Sequence, residues 1–209
     1  HDVGKPRTKR GEGPDATFHG HEVVGAKMVL KIMDKLRFPK EVIEYVAHLV
    51  RWHMFYYNVG EVSEAGVRRF LRRIGTECLD DLLRVREADR IGSGVPKAVP
   101  YKLRHLMFMI DKVKRDPISP KALKIDGNEV MKILGVEPGP RIGHILALLL
   151  EEVIEKPELN DREILITRLQ ELNKMTDAEL AGLRKKAEAV KDEFEAAAEK
   201  EIKRKHKVQ

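Results

Sequence analysis

Apolar side chains recur every three or four residues along most of this chain, and no stretch of useful length alternates between apolar and polar residues. The clearest series is Val24, Met28, Ile32 and Leu36, which puts all four side chains on one face of a helix. Half-buried strands would need the alternating pattern that is missing. The sequence therefore predicts an all-α fold built from amphipathic helices.

Prolines, glycines and capping residues divide this pattern into separate helices. The predicted helices cover residues 20–36, 40–57, 63–74, 77–90, 99–115, a short segment ending near 134, 140–155, a helix opening at 160–163 and a long charged helix over 177–207. Asp116-Pro117 is predicted to end a first domain. We expect a helical bundle over residues 1–116, a smaller helical module over 117–172 and a charged C-terminal helix over 173–209.

Composition narrows the classes of protein. The 209 residues are 42% apolar and 35% charged, which is enough for one large or two small hydrophobic cores. The net charge of +6 permits nucleic-acid binding without requiring it. The single cysteine, Cys78, excludes an internal disulfide and favours a cytoplasmic protein. The longest apolar run, residues 145–150, is too short to span a membrane.

The pair His1-Asp2 carries the most distinctive chemistry in the sequence. An imidazole and a carboxylate side by side suit a divalent ion such as Mg²⁺, Mn²⁺, Fe²⁺ or Ni²⁺. The candidates to complete a site are His21 in the first turn of a helix, His53 on an apolar helix face, and Asp89 late in a helix. A carboxylate there opposes the helix dipole and needs a cation. The ordinary alternatives are a capping Asp, a satisfied core histidine and, for Asp89, surface pairing with Arg86 or Arg90.

Two groups of basic residues accompany these candidates. Residues 3–16 are rich in glycine, proline, lysine and arginine, and form a loop that either binds a phosphate substrate or is simply solvated. The predicted helix 63–74 carries two arginine pairs, which are either a phosphate-facing cluster or a solvated helix face. These pairs are Arg68-Arg69 and Arg72-Arg73.

The order of the motifs resembles that of a known family. His-Asp-Val-Gly-Lys-Pro, then Phe-His-Gly-His-Glu-Val-Val-Gly-Ala, then a helix with His53, then Leu-Leu-Arg-Val-Arg-Glu-Ala-Asp-Arg, is similar to the HD metal-dependent phosphohydrolases. More narrowly, residues 1 to about 165 resemble the HD domain in the C-terminal half of bacterial tRNA nucleotidyltransferases, the CCA-adding enzymes, and of their poly(A) polymerase relatives.

The resemblance implies roles for particular residues. A divalent metal, its identity open among Mg, Mn, Ni and Fe, would be held by His1, Asp2 and Asp89 with His21 and His53 nearby. Asp2 and His21 would also be catalytic. Arg68 and Arg69, which match the family's Val-Arg-Arg run, would neutralise a phosphoester substrate.

The segment after residue 120 resembles the tRNA-contacting module that follows the HD domain in this family. The match lies in Ile-Asp-Gly-Asn-Glu-Val-Met and in Gly-Val-Glu-Pro-Gly-Pro-Arg-Ile-Gly. A Pro-Gly-Pro turn opening a helix, with an arginine beside it, also suits an RNA phosphate. The candidate RNA-binding residues are Asn128, Gly139 and Arg141, joined by Lys112, Lys114 and Arg115 from the basic stretch before residue 116.

Nucleotide addition in this family needs paired carboxylates on a strand, and the sequence offers no such stretch. The family pattern also places one more metal-binding histidine before His1. We therefore interpret the chain as a C-terminal fragment of a tRNA nucleotidyltransferase-like protein that binds tRNA and carries an HD phosphohydrolase site. The alternatives are a catalytically silent HD scaffold for RNA and a free-standing HD nucleotide phosphohydrolase. The oligomeric state stays open.

Overall fold

The computed structural model describes residues 1–13, 16–94, 99–116 and 119–188. Over these ranges the chain is helical and forms no β-strand, which confirms the predicted all-α class; Arg10 and Thr17 make an isolated antiparallel bridge. The helices are α1 (Lys5–Thr8), α2 (His21–Lys35), α3 (Lys40–Trp52), α4 (Glu64–Ile74), α5 (Leu79–Gly92), α6 (Tyr101–Val113), α7 (Gly127–Leu134), α8 (Pro140–Glu155), α9 (Arg162–Asn173) and α10 (Asp177–Glu188). None of these helices is both long enough and apolar enough to cross a bilayer.

The helix boundaries follow local capping chemistry. Asp126 accepts a hydrogen bond from the backbone of Glu129, whose carboxylate accepts one in return from the Asp126 amide, and this capping box starts α7. Gly135 ends α7 in the left-handed conformation, with φ of 64°. Helix α8 has the predicted bounds, whereas the predicted helix 40–57 stops at Trp52. Residues 189–207 of the predicted C-terminal helix lie outside the described residues.

The chain forms two compact units that interleave along the sequence. Unit 1 contains His1–Tyr56 and Ile74–Arg104, and unit 2 contains Tyr57–Arg73 and the described residues from His105 onward. In unit 1, α2 packs against α3, and α3 packs against α5. The predicted domain boundaries after residues 116 and 172 stay a prediction.

Unit 2 is built around α8. Leu149, Leu150 and Ile154 of that helix are fully buried, and α7, α9 and α10 pack against it. The apolar run noted in the sequence is therefore the centre of a core rather than an exposed stripe. Each buried leucine or isoleucine side chain contributes about 1.5–3 kcal/mol relative to an exposed one.

Candidate metal centre

The first residues of unit 1 lie directly against α2. A Cβ atom on Gly4 would come within 2.7 Å of the Gly25 amide nitrogen, and closer still to the His21 carbonyl oxygen. Gly25 is less crowded but still tight, since a Cβ there would meet Val50 at 3.3 Å and the Gly4 nitrogen at 3.4 Å. Only glycine permits this approach of two backbones, which brings His1 and Asp2 next to the start of α2.

His21 begins α2 and His53 follows α3, and both side chains are buried. Nδ1 of His21 donates to the Phe18 carbonyl at 2.8 Å, and Nδ1 of His53 donates to the Val50 carbonyl at 2.7 Å. A carbonyl only accepts, so each Nδ1 carries a proton, and a ring in its neutral form then has its lone pair on Nε2. The two Nε2 atoms lie 3.2 Å apart. Two facing lone pairs at this distance repel unless a proton or a metal cation lies near both.

Asp2 completes this arrangement. Its Oδ1 is 3.5 Å from Nε2 of His21 and 3.9 Å from Nε2 of His53. Among the residues that the structure describes, none hydrogen-bonds to this buried oxygen. His1 joins the group through Nε2, which is 3.4 Å from Oδ2 of Asp2 and 3.4 Å from Oδ1 of Asp89. The structure thus brings together all five predicted ligands, called here the His/Asp cluster.

The donor set fits a divalent metal. One ligand atom each from His1, Asp2 and His53 lies within 4.8 Å of the others, and the orphaned Asp2 oxygen lacks the partner that a buried carboxylate normally has. Imidazole nitrogen with carboxylate oxygen suits Mn²⁺, Fe²⁺ or Ni²⁺. Burial, reinforced by the nearby His21, lowers the pKa of His53 below its ordinary value. A neutral ring is the form that ligates metal.

Two cations border the His/Asp cluster: Lys5, from the predicted basic loop, and Arg86, which the sequence analysis gave only as a surface partner of Asp89. Lys5 Nζ lies 2.5 Å from Oδ2 of Asp2, and NH1 of Arg86 lies 2.9 Å from Oδ2 of Asp89. Both pairs are three residues apart in sequence. That spacing was a visible signal, but it is shared by ordinary surface ion pairs.

His48 lies on α3 but faces elsewhere. Its Nε2 donates to the Ile74 carbonyl at 2.8 Å. The histidine that the sequence favoured, His53, is the one that reaches the cluster.

Arg68 and Arg69 belong to unit 2. Arg68 is buried, and it donates through Nε to Asp116 at 2.7 Å, through NH1 to the Ile154 carbonyl at 3.0 Å and through NH2 to Glu64 at 3.2 Å. Arg69 pairs with Glu151 and Glu155 of α8. Their guanidinium groups are engaged with protein acceptors, and their predicted contact with a phosphate stays a prediction.

The predicted RNA-binding residues differ in their surroundings. Arg141, at the start of α8, donates to the carbonyls of Asn173 and Met175 at 2.7 and 2.8 Å and pairs with Asp177. It thereby joins the start of α8 to the segment between α9 and α10. Gly139 is the residue before α8, with an extended backbone.

The other candidates are exposed. Asn128 lies in the first turn of α7, and Arg115 lies just after α6. Lys112 pairs with Glu64, and this hydrogen bond lowers the pKa of the Glu64 carboxyl, while Lys114 pairs with Asp111 at 2.7 Å. These residues are accessible to RNA, and contact with it stays a prediction.

Comparison with known proteins gives a consistent set of relatives. Residues 23–169 match the profile described as tRNA nucleotidyltransferase domain 2, putative. The chain is 39% identical over 157 residues to the CC-adding tRNA nucleotidyltransferase of Thermus thermophilus, covering 74% of this chain and 34% of that protein. It is 37% identical over 158 residues to the A-adding tRNA nucleotidyltransferase of Deinococcus radiodurans, covering 72% and 35%.

A more distant relative is the multifunctional CCA protein of Neisseria meningitidis serogroup A, 30% identical over 116 residues, covering 53% of this chain and 27% of that protein. The chain thus spans about a third, or less, of the length of these curated relatives. No solved structure gives a significant match.

Proposed function

We propose, from the premise that this chain belongs to the tRNA nucleotidyltransferase family, that unit 1 carries a divalent-metal phosphohydrolase site of the HD type and that the chain binds tRNA. For the protein as a whole, we propose addition of nucleotides to tRNA, because two relatives are named CC-adding and A-adding enzymes. The proposed location is the cytoplasm.

The observation that carries the phosphohydrolase proposal is the mutual orientation of His21, His53 and Asp2. Two rings whose Nδ1 atoms both donate to carbonyls face each other through Nε2 at 3.2 Å, beside a buried carboxylate oxygen that has no hydrogen-bond partner among the described residues. An arrangement that is unfavourable when empty and favourable around a cation is typical of a ligand site. His1 and Asp89 belong to the same group, because Nε2 of His1 lies 3.4 Å from Oδ2 of Asp2 and 3.4 Å from Oδ1 of Asp89.

A divalent ion in such a site acts as a Lewis acid on a phosphoester and lowers the pKa of water. The chain's own residues have separate tasks. His1, Asp2, His21, His53 and Asp89 would hold the ion, and the protonated Nδ1 atoms of the two buried histidines would keep their rings aligned. Lys5 and the basic residues after it would attract the phosphate and neutralise its charge. Nucleotide monoesters and 2′,3′-cyclic phosphates are the proposed substrate classes.

The tRNA proposal has support of a different kind. The matched family region extends to residue 169 and includes the module of α7 and α8, and the curated relatives are named for tRNA. A free-standing HD nucleotide phosphohydrolase would leave this module without a purpose. Exposed lysines and arginines at the end of α6 would contact phosphates, together with Asn128 and the start of α8.

A silent scaffold is the second candidate function, and one observation favours it. Lys5 lies 2.5 Å from Asp2 and supplies this carboxylate with a cation without any metal. In this alternative the HD fold would serve only as a support for RNA binding.

Hydrolysis of bis(p-nitrophenyl) phosphate and of 2′,3′-cyclic AMP with added Mn²⁺ or Ni²⁺ separates the two functions. The phosphohydrolase proposal predicts turnover that is lost in Asp2→Ala and retained in a surface control such as Asp34→Ala. Equal rates in the wild type and in Asp2→Ala would refute the proposed catalytic site. For tRNA, the proposal predicts an affinity that falls steeply as salt rises, because lysines and arginines replace counterions on the phosphates.

A further inference from the structure

Asp89 is the only member of the His/Asp cluster, as described, whose second carboxylate oxygen is held by an arginine. Oδ1 lies 3.4 Å from Nε2 of His1, and Oδ2 accepts a hydrogen bond of 2.9 Å from NH1 of Arg86. One oxygen therefore points toward the other candidate ligands, while the other is fixed from behind. The two side chains are 17% and 18% exposed, so water screens their interaction only in part.

Arg86 is itself held in place. The central carbon of its guanidinium group lies 5.9 Å from the ring of Phe55 and 5.9 Å from the ring of Tyr56. Attraction between a guanidinium cation and an aromatic ring is effective at this distance. The planar group is thus oriented by the segment after α3 before it meets Asp89 on α5.

The position of Asp89 on α5 gives Arg86 an electrostatic role as well. Asp89 lies in the last turn of α5, where the negative end of the helix dipole disfavours a carboxylate. Arg86, one turn earlier, supplies a positive charge that offsets this effect. The carboxylate is then directed toward the cluster without help from a metal.

We propose that Arg86 is the positioning residue of this metal site: it fixes the rotamer of Asp89 so that one carboxylate oxygen is ready to bind the cation. This inference rests on the proposed function, since it assumes that the His/Asp cluster binds a metal. Arg86 acts through Asp89 and has no ligand role. Loss of an outer group that orients a metal ligand typically costs about 10–100-fold in metal affinity.

The chain supplies a matched control on the same helix. NH1 of Arg84 donates to Asp81 at 3.2 Å, also three residues apart, but these side chains are 79% and 44% exposed. Arg84→Gln therefore removes an ion pair of the same type from α5 without touching the cluster. Arg86→Lys keeps the positive charge and removes the planar group that contacts Asp89 and the rings.

The experiment is calorimetric titration of the full chain with Mn²⁺, with Co²⁺ absorption spectra as a measure of coordination geometry. Arg86→Gln is expected to weaken Mn²⁺ binding by about 10–100-fold and to change the Co²⁺ spectrum. Arg86→Lys should fall between the wild type and Arg86→Gln, and Arg84→Gln should match the wild type. Wild-type affinity and spectrum in Arg86→Gln would overturn the inference.

A double-mutant cycle with Asp89→Asn tests whether Arg86 works through Asp89. The inference predicts that Arg86→Gln has no further effect on the Mn²⁺ affinity once Asp89 is Asn. An equal loss in both backgrounds would overturn it. If the wild type itself binds no Mn²⁺ or Co²⁺, the proposed function fails, and the inference fails with it. Thermal unfolding of each variant without metal verifies the fold, and Arg86→Lys provides the comparison if Arg86→Gln is unfolded.

Discussion

The buried histidines of unit 1 and the buried arginine of unit 2 show two different uses of polar groups inside a protein. Arg68 directs its guanidinium nitrogens to Asp116, Glu64 and the Ile154 carbonyl. His21 and His53 each satisfy one nitrogen with a carbonyl and turn the other toward its counterpart, 3.2 Å away. The arginine is therefore part of the packing of its unit. The histidines instead form an arrangement that becomes energetically favourable only when a cation is added.

The partners of a buried polar group distinguish a structural role from a ligand-binding role more reliably than its residue type does. Arginines next to one another suggested phosphate binding, and a His-Asp pair suggested a metal. In the structure, the partners of each group indicate its role: complementary charges surround Arg68, whereas two ring nitrogens face each other in the His/Asp cluster. The comparison predicts opposite consequences for stability and ligand binding when each group is removed.

Arg68→Ala should give the largest change in stability. It leaves the carboxylate of Asp116 and the Ile154 carbonyl without their donor, and breaking a buried ion pair costs about 3 kcal/mol. Urea unfolding followed by circular dichroism measures this loss, with Arg72→Ala as a partly exposed control that should change by less than about 1 kcal/mol. If Arg68→Ala kept its stability and lost phosphohydrolase activity, the sequence-based role of Arg68 in binding the phosphoester substrate would be correct instead.

Arg141→Gln should give a smaller loss in the same unit. The guanidinium group joins α8 to the carbonyls of Asn173 and Met175, and its removal is expected to cost about 1–2 kcal/mol in the free energy of unfolding. The matched control is Arg162→Gln, whose pair with Glu129 is exposed. If stability is unchanged while tRNA binding weakens, Arg141 is an RNA contact and not a structural tie.

Asp2→Ala tests the other side of the comparison. In a chelating buffer we expect the free energy of unfolding to change by less than about 1 kcal/mol, because Asp2 is partly exposed and its Oδ1 makes no hydrogen bond in the described structure. Added Mn²⁺ should stabilise the wild type but not the variant. A large loss of stability without metal would mean that Asp2, like Arg68, is a structural residue.

Much of the fold was predictable, because helix periodicity, prolines and caps are local signals. The spacing of apolar residues predicted α8 with its observed bounds, and the side of the helix distinguished His53 from His48. The convergence of His1, His21 and Asp89 was inferred from resemblance, since residues so far apart in sequence give no local signal of proximity.

The environment of the arginines was not predictable from the sequence. The partners of Arg68 are Asp116, 48 residues away, and the Ile154 carbonyl, 86 residues away. A local pattern of arginines cannot reveal such contacts. The contacts of Lys5 and Arg86 with the cluster were not predictable for the opposite reason. The sequence analysis placed Lys5 in a basic loop and gave Arg86 as a surface partner of Asp89, because an ion pair three residues apart is common on helix surfaces and carries little information.

Tyr45→Phe should have the smallest effect on stability, and this effect should disappear at high pH. Tyr45 donates a 2.7 Å hydrogen bond to Asp81, which together with burial raises the pKa of Tyr45 to about 12. Because the folded pKa is raised, this contribution to stability is full below the ordinary tyrosine pKa and is lost as the pH rises through about 12. Phenolate absorbance in Tyr45→Phe should therefore lose a tyrosine that titrates near pH 12. An unchanged titration would refute this assignment.

The central claim is that the His/Asp cluster of unit 1 binds a divalent cation. The most direct measurement is the metal content of the chain after dialysis against Mn²⁺, beside Asp89→Ala at the same concentration. We predict about one equivalent in the wild type, lost or strongly reduced in the variant. No bound metal in either protein would contradict the claim and leave the fold as a scaffold for RNA.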